Sequence, residues 1–535
     1  MKTMINSIIL ASCLALPLAS CSDSDAAPEQ KDWSTTTYFN SSDAAAQNTY
    51  YKPAVGYVGD PMPFFDPVAG DFKVLYLQDF RPNPEGTYHP IWGVSTKDAA
   101  HYTALGELVS CGTLKSQDAA IGTGSTIYDE ASKLYYTFYT GNKYKPTGDE
   151  SAQAVMVATS ADFKTWTKDR TFLIKGQDFG YDKNDFRDPF VFKGDDGKFH
   201  MLISTKKGGK GSLAEFVSDD LKNWTDNGVF MTMMWDRFYE CPDLFKMGDY
   251  WYLVYSELHH AVRRVQYFKG RTLDELKACT ANDAARWPDA HEGFLDSRGL
   301  YAGKTASDGT NRYLWGWCPT RSGKDNTAVG ASPAEPEWGG NLVCYKLIQH
   351  EDGTLTLGQV DAVSEKYNQD VAVEVKESQN MTEADGTYTL AGSVEQPDAY
   401  MLMGRLGSHN KISFTVTTSN EWDKFGISMV RGSDSKKYYT MVVNPENENN
   451  RKVNFEEQGV EGKGFIAGID GYVFARPADN VYNVTIYTDN SICVMYINDV
   501  CSYTNRIYGI QKNCWSINSY NGANVKISNL KISQY

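Results

Sequence analysis

A loose motif recurs about every 60 residues in the first two-thirds of this chain, and it restricts the possible folds more than any other feature. Val94-Ser95-Thr96-Lys97-Asp98 leads into Tyr102, Ala158-Thr159-Ser160-Ala161-Asp162 into Trp166, and Val217-Ser218-Asp219-Asp220 into Trp224. Each copy is a strand end, a Ser-x-Asp or close variant, and a turn into an aromatic ring. A repeat of that length is one four-stranded supersecondary unit that cannot bury its own apolar face, which points to a β-propeller. Residues 50–370 divided at that spacing give about five blades. Runs such as Phe72–Gln78, Lys133–Tyr139, Lys198–Ile203 and Tyr250–Tyr255 are short, rich in aromatic and β-branched residues, and bounded by Gly, Asp or Asn, as strands are. Helical periodicity is confined to stretches such as Leu273–Cys279. Beyond residue 370 the composition shifts to polar Asn/Glu/Lys segments alternating with strands such as Lys411–Val416 and Lys437–Val443. That pattern suits an antiparallel sandwich. The expected fold is all-β: a five-bladed β-propeller over 49–370 and a β-sandwich over 371–535.

The formal net charge of −15 disfavours a polyanionic partner, so nucleic acid is not expected. A neutral glycan is compatible with it. Aromatic residues make up 13% of the chain; most suit a pleated sheet, and a few can stack on sugar faces. The first 21 residues read as a processing signal. Lys2 is followed by an apolar run, Ile5–Leu18, too short to span a bilayer. It ends in Leu18-Ala19-Ser20-Cys21, which resembles a bacterial lipobox with lipid carried on Cys21. Residues 22–48, beginning Ser22-Asp23-Ser24-Asp25, read as a flexible acidic tether. The expected location is a bacterial outer membrane, on the cell surface or the periplasmic face, with the membrane as a partner through Cys21. The eight cysteines beyond Cys21 form no CxxC or metal-type spacing. Most are expected as buried thiols, and Cys493 and Cys501, flanking a hairpin, could pair.

Three acidic tripeptides carry the chemistry: Gly59-Asp60-Pro61, Arg187-Asp188-Pro189 and Glu240-Cys241-Pro242. Each sets a carboxylate one or two residues before a proline at the end of an apolar, β-rich run, near a repeat boundary. Alone, an Asp-Pro pair is an ordinary turn initiator. In a propeller, equivalent positions of successive repeats converge on the channel mouth. Two carboxylates suffice to cleave a glycosidic bond, one as nucleophile and one as proton donor. No nucleotide loop, HExxH, G-x-S-x-G or zinc spacing accompanies them, so no metal or cofactor is expected.

These residues resemble glycoside hydrolase family 32, the invertases, inulinases and levanases. Tyr57-Val-Gly-Asp60-Pro-Met resembles the family's Trp-Met-Asn-Asp-Pro-Asn block. Tyr76-Leu-Gln78-Asp-Phe-Arg-Pro82, His89-Pro-Ile-Trp92-Gly93, Thr123-Gly124-Ser125 and Tyr139-Thr140-Gly141 follow its succession of motifs. So do Phe186-Arg187-Asp188-Pro189, Glu240-Cys241-Pro242-Asp243, Leu300-Tyr301-Ala302, Trp315-Gly316-Trp317 and Pro336-Glu-Trp338. The resemblance implies retaining hydrolysis of β-fructosidic bonds, with Asp60 as nucleophile, Glu240 as acid/base and Asp188 as transition-state stabiliser. It implies substrate contacts from Tyr57, Gln78, Thr123, Ser125, Arg187, Tyr301 and Trp338. The chain departs from the family where both asparagines flanking the nucleophile are replaced, by Gly59 and Met62. Three functions fit this reading: a fructan, fructo-oligosaccharide or sucrose hydrolase; a transfructosylase or other furanosidase using the same covalent intermediate; and a glycan-binding surface lipoprotein without turnover.

Overall fold

The structure, a computed structural model, describes residues 49–81, 83–233, 238–257, 264–281, 293–321, 336–431, 437–447, 450–456, 472–475, 477–507 and 510–535. The signal segment, Cys21 and the tether lie outside these residues.

Five antiparallel blades surround an axis. The first holds β1 (Tyr57–Asp66), β2 (Asp71–Asp79), β3 (Ile91–Thr96) and β4 (Thr103–Val109). The second holds β5 (Ala120–Asp129), β6 (Leu134–Asn142), β7 (Gln153–Ser160) and β8 (Thr167–Lys168). The third holds β9 (Phe186–Lys193), β10 (Phe199–Lys207), β11 (Lys210–Ser218) and β12 (Thr225–Thr232). The fourth has three described strands, β13 (Glu240–Met247), β14 (Tyr250–Glu257) and β15 (Arg264–Gly270), and a helix, α1 (Leu273–Ala281). The fifth holds β16 (Tyr301–Ser307), β17 (Arg312–Arg321), β18 (Pro336–Gln349) and β19 (Leu355–Gly358). The innermost strands β1, β5, β9, β13 and β16 touch their neighbours in a closed ring. Val58 on β1 also pairs with Gly340 on β18, which joins first and last blades into one sheet.

The recurrent motif has a local cause. Asp98 Oδ1 accepts from the amides of Ala100 and His101, Asp162 Oδ1 from Lys164 and Thr165, and Asp220 Oδ1 from Lys222 and Asn223. Each carboxylate closes an Asx turn at the end of a third strand. The residue after it (Ala99, Phe163, Leu221) takes a positive φ near 60°.

Every innermost strand has an irregular register at its first residues. Pairing jumps from Gly59 to Met62 in β1, from Gly122 to Gly124 in β5, from Arg187 to Phe190 in β9, from Glu240 to Asp243 in β13 and from Tyr301 to Lys304 in β16. Asp188, Cys241 and Ala302 have positive φ there. Such bulges re-aim side chains. The acidic motifs thus open the innermost strands, where the sequence reading had them ending apolar runs. Pro61, Pro189 and Pro242 fit because a bulged residue has no ladder bond for a missing N–H to break.

A short helix, α2 (Asp361–Lys366), leads to a strand at Gln369–Val371 that pairs with the last strand of the chain, Asn524–Gln534. Two sheets follow, packed on Met401, Phe414, Ile427, Ile486, Met495, Trp515 and Ile517, all buried. The sandwich docks on the propeller through buried polar groups. Asp296 accepts from the Thr504 amide (2.7 Å) and from the hydroxyls of Ser502 (3.0 Å) and Thr504 (2.7 Å). Asp489 accepts from the amides of Thr49 and Tyr50. Gly299 is required at this junction: a Cβ there would lie 2.0 Å from the Thr504 carbonyl oxygen. All eight described cysteines are free. Cys493 stands opposite Asn505 and Cys501 opposite Ile497, so the two thiols are not cross-strand partners, and the pairing that their spacing left open does not form.

Candidate active site

Asp60, Asp188 and Glu240 start three of the five innermost strands, and one hydrogen-bonded cluster contains all of them. Asp60 Oδ1 accepts from Trp317 Nε1 at 2.9 Å, and Oδ2 from the Thr123 hydroxyl at 2.7 Å. With both oxygens engaged, the carboxylate has one orientation. The Cys241 thiol reaches Thr123 Oγ1 at 3.8 Å, and the Cys241 amide donates to Asp188 Oδ2 at 2.9 Å. The Thr140 hydroxyl receives the Asp188 amide (2.8 Å) and donates to the Thr123 carbonyl (2.9 Å). Blades one, two, three and four are therefore linked around the acids.

Glu240 is gripped from two sides. Arg187 Nη2 donates to Oε1 at 3.0 Å, and the Tyr301 hydroxyl donates to Oε2. Arg187 also bonds Asp185 (2.7 Å) and stacks on Phe238 at 3.9 Å. Burial opposes its charge, but the fields of Asp188 and Glu240 prevail and raise its pKa. Asp188 is 3% exposed. Burial, reinforced by the charges of Glu240 and Asp60 and only partly countered by Arg187, pushes its carboxyl up to about 6. Lys304 lies buried close by and donates to the Gly124 carbonyl at 2.8 Å. Burial lowers its pKa, against the pull of Cys241, Asp243, Asp188 and Asp60. Among the described residues no three His, Cys, Asp or Glu side chains are grouped to hold a metal ion.

One wall is aromatic. Trp338 stacks on His89 (4.0 Å, 15°) and lies 6.0 Å from Trp317, which meets Tyr301 edge-on at 5.6 Å. Burial lowers the His89 pKa to about 4, so the stacked imidazole is neutral at pH 7. Arg81 donates to the Trp338 carbonyl at 2.7 Å and covers the Tyr57 ring at 4.2 Å. The departure at Gly59 has its explanation here, because a Cβ at residue 59 would lie 2.1 Å from Trp338 Cη2. The indole takes the space an asparagine would occupy. Met62 fills the second substituted position, its sulfur receiving the Gly124 amide at 3.1 Å.

Of the residues singled out in the sequence, Asp60, Asp188, Glu240, Thr123, Arg187 and Tyr301 share this cluster, and Trp338 and Tyr57 form its wall. Two do not reach it. Gln78 is fully buried, with its amide nitrogen on the Val55 carbonyl. The Ser125 hydroxyl donates to the Pro189 carbonyl and accepts from the Val191 amide, both at 2.9 Å. It fastens the second blade to the third. Both were expected to touch substrate; the hydrogen bonds they make are to the scaffold, and the Gln78 Oε1 is buried with no hydrogen-bond partner among the described residues. The sequence reading missed Trp317, Thr140 and Lys304. The first two lie inside motifs already noted, and Lys304 is three residues past Tyr301.

Fold and site define a propeller-plus-sandwich protein with an axial cluster of three carboxylates. The family pattern for the "Glycosyl hydrolases family 32 N-terminal domain" matches residues 50–360, and that for the "GH32, BT1760-like, C-terminal domain" matches 353–532. The chain belongs to glycoside hydrolase family 32. An insoluble β-fructofuranosidase isoenzyme of Arabidopsis thaliana is 26% identical over 310 residues, covering 52% of this chain and 50% of the relative. A sucrose-6-phosphate hydrolase of Vibrio alginolyticus is 25% identical over 237 residues, covering 42% and 45%. The chain thus spans about half the length of the curated relatives it matches. Fructan 1-exohydrolase IIa from Cichorium intybus has the same fold, with a TM-score of 0.67 at 16% identity over 91% of this chain and 97% of its own.

The raised Asp188 carboxyl predicts a pH-dependent stability. Folded Asp188 holds its proton more tightly than the unfolded chain does, so stability falls as pH rises from about 4 to 6. The shift corresponds to about 3 kcal/mol. Asp188→Asn should stabilise the fold relative to wild type by an amount that grows across that window, as read from urea unfolding at pH 4.5 and 7.

Proposed function

We propose that this protein is a retaining glycosidase that cleaves β-fructosidic bonds in fructans, fructo-oligosaccharides or sucrose. The observation that carries this reading is the single cluster of Asp60, Asp188 and Glu240 on separate blades of a family 32 propeller. Asp60, held at both oxygens, attacks the anomeric carbon of a fructosyl unit. The bond to the leaving oxygen breaks as Glu240 gives that oxygen its proton, and a fructosyl ester forms on Asp60. Glu240 then takes a proton from water, the resulting hydroxide displaces Asp60, and the fructose is freed with its configuration retained. Arg187 and Tyr301 fix the Glu240 carboxyl group so that one residue performs both transfers. Asp188, ionised, accepts hydrogen bonds from ring hydroxyls and opposes the positive charge of the oxocarbenium-like transition state. The rings of Tyr57 and Trp338 supply apolar walls for a sugar face.

The test is sugar release from levan, inulin, sucrose and short fructo-oligosaccharides. Asp60→Ala should abolish release, and Glu240→Gln should slow it by about 10²–10⁴-fold. Folded wild-type protein that releases nothing from any of them would overturn the assignment.

The wall at Gly59 gives a second prediction. Gly59→Ala places a methyl group in the Trp338 ring and should lower kcat/KM at least tenfold. Combining it with Trp338→Ala should cost less than the two separate losses multiplied together, as a double-mutant cycle would register.

We further propose that Cys21 carries lipid and holds the enzyme at a bacterial outer membrane. Membrane fractionation should find the full chain with the membrane and Cys21→Ser in the soluble fraction. Equal partition of the two would exclude the anchor.

A further inference from the structure

The sandwich reaches the nucleophile through one side chain. Arg506 ends the sandwich strand Cys501–Arg506 and is 2% exposed. Its Nη2 donates to the Cys318 carbonyl (2.8 Å) and to Asn341 Oδ1 (2.7 Å), its Nε to the Pro319 carbonyl (3.1 Å), and its Nη1 to Ser491 Oγ (3.0 Å). Three of these four acceptors belong to the propeller. Cys318 and Pro319 directly follow Trp317, whose indole N–H holds Asp60 Oδ1. Asn341 stands opposite Cys318 in the β17–β18 ladder, and its neighbour Gly340 pairs with Val58, two residues before Asp60. The guanidinium therefore grips both β17, which carries Trp317, and β18, which pairs with the strand of the nucleophile. A planar fork with five donors suits such divergent acceptors, and a lysine, a single point charge on a flexible stem, cannot satisfy them together.

We propose that Arg506 is a positioning residue for catalysis. It fixes the end of β17, so that Trp317 holds the Asp60 carboxylate on its attack line, and the sandwich is thereby part of the catalytic machinery. The inference rests on the hydrolase reading above, and its test separates the two.

Asp489 supplies the matched control. It is also buried and also joins sandwich to propeller, but through the amides of Thr49 and Tyr50. Arg506→Lys and Asp489→Asn would be compared with wild type in thermal midpoint, kcat and KM on whichever fructan or sucrose is hydrolysed. The ¹⁵N-labelled indole N–H resonance of Trp317, assigned with Trp317→Phe, would be followed in parallel. The expected result for Arg506→Lys is a kcat at least tenfold lower, a KM within about twofold of wild type, and a displaced Trp317 resonance. Asp489→Asn should lower the thermal midpoint while leaving kcat and that resonance near wild type. Loss of kcat in proportion to loss of thermal midpoint in both variants, or an unmoved Trp317 signal in Arg506→Lys, would overturn the proposal. If wild-type protein hydrolyses nothing, the hydrolase reading fails, and the Trp317 resonance alone decides whether Arg506 orients the group that holds Asp60.

Discussion

The broken ladder at the start of each innermost strand is the constraint on which the rest of the structure depends. A regular strand alternates its side chains between two faces, and in a propeller both faces pack against neighbouring blades. No residue of an unbroken innermost strand would point along the axis. The jumps at Gly59/Met62, Arg187/Phe190 and Glu240/Asp243 release two residues each from the ladder. Their freed polar groups are satisfied across blades instead. The Cys241 amide turns to Asp188 and the Asp188 amide to Thr140. The positive φ at Asp188 and Cys241 costs about 1–3 kcal/mol per residue, and the tertiary hydrogen bonds offset it. Site and closure are thus one feature, because the bulges that free Asp60 and Asp188, and the one that immediately follows Glu240, also fasten neighbouring blades.

Gathering three carboxylates creates an electrostatic problem. Burial and neighbouring like charges both raise a carboxyl's pKa, and at Asp188, the most buried of the three, burial leads and the charges of Glu240 and Asp60 add to it. Two cations moderate it from different sides. Arg187 lies between Asp188 and Glu240 and hydrogen-bonds the latter, while Lys304 contributes charge from a buried position, with its ammonium on the Gly124 carbonyl. The result is an uneven set: Asp60 pinned by two neutral donors, Glu240 by an arginine and a phenol, and Asp188 by an amide and a field. Different roles for three chemically similar groups follow from such unequal surroundings.

Much of the blade architecture was legible because its signals are local. The Ser-x-Asp turn closes within four residues, so Asp98, Asp162 and Asp220 repeat in sequence what they repeat in space. The acids were legible because a bulge that tolerates proline leaves a carboxylate-proline signature. What escaped was nonlocal. Trp317 and Lys304 meet Asp60 and Gly124 across more than 170 residues, and nothing near them in sequence marks the contact. Gln78 and Ser125 differ in the opposite way: their motifs resemble those of the family, but the Gln78 amide nitrogen is committed to the Val55 carbonyl and the Ser125 hydroxyl to the Pro189 and Val191 backbone. Cys493 and Cys501 lie on paired strands out of register, which spacing along the chain could not show.

The replaced asparagines connect these points. On the proposed function, an amide beside Asp60 would offer directional hydrogen bonds to a sugar, whereas this chain would offer the face of Trp338, backed by a neutral imidazole and clamped through Arg81. Stacking on an apolar sugar face discriminates by ring shape and orientation more than by the position of single hydroxyls. The exchange is possible only because Gly59 has no side chain, and it is coupled to the fold, since Gly59 is the last paired residue before the bulge that frees Asp60. The Trp338 wall and the geometry of Asp60 therefore meet at one backbone position. A change in the wall that moved β1 would move the acid with it, which is why the β17–β18 end against which β1 closes must be held as firmly as the acid itself.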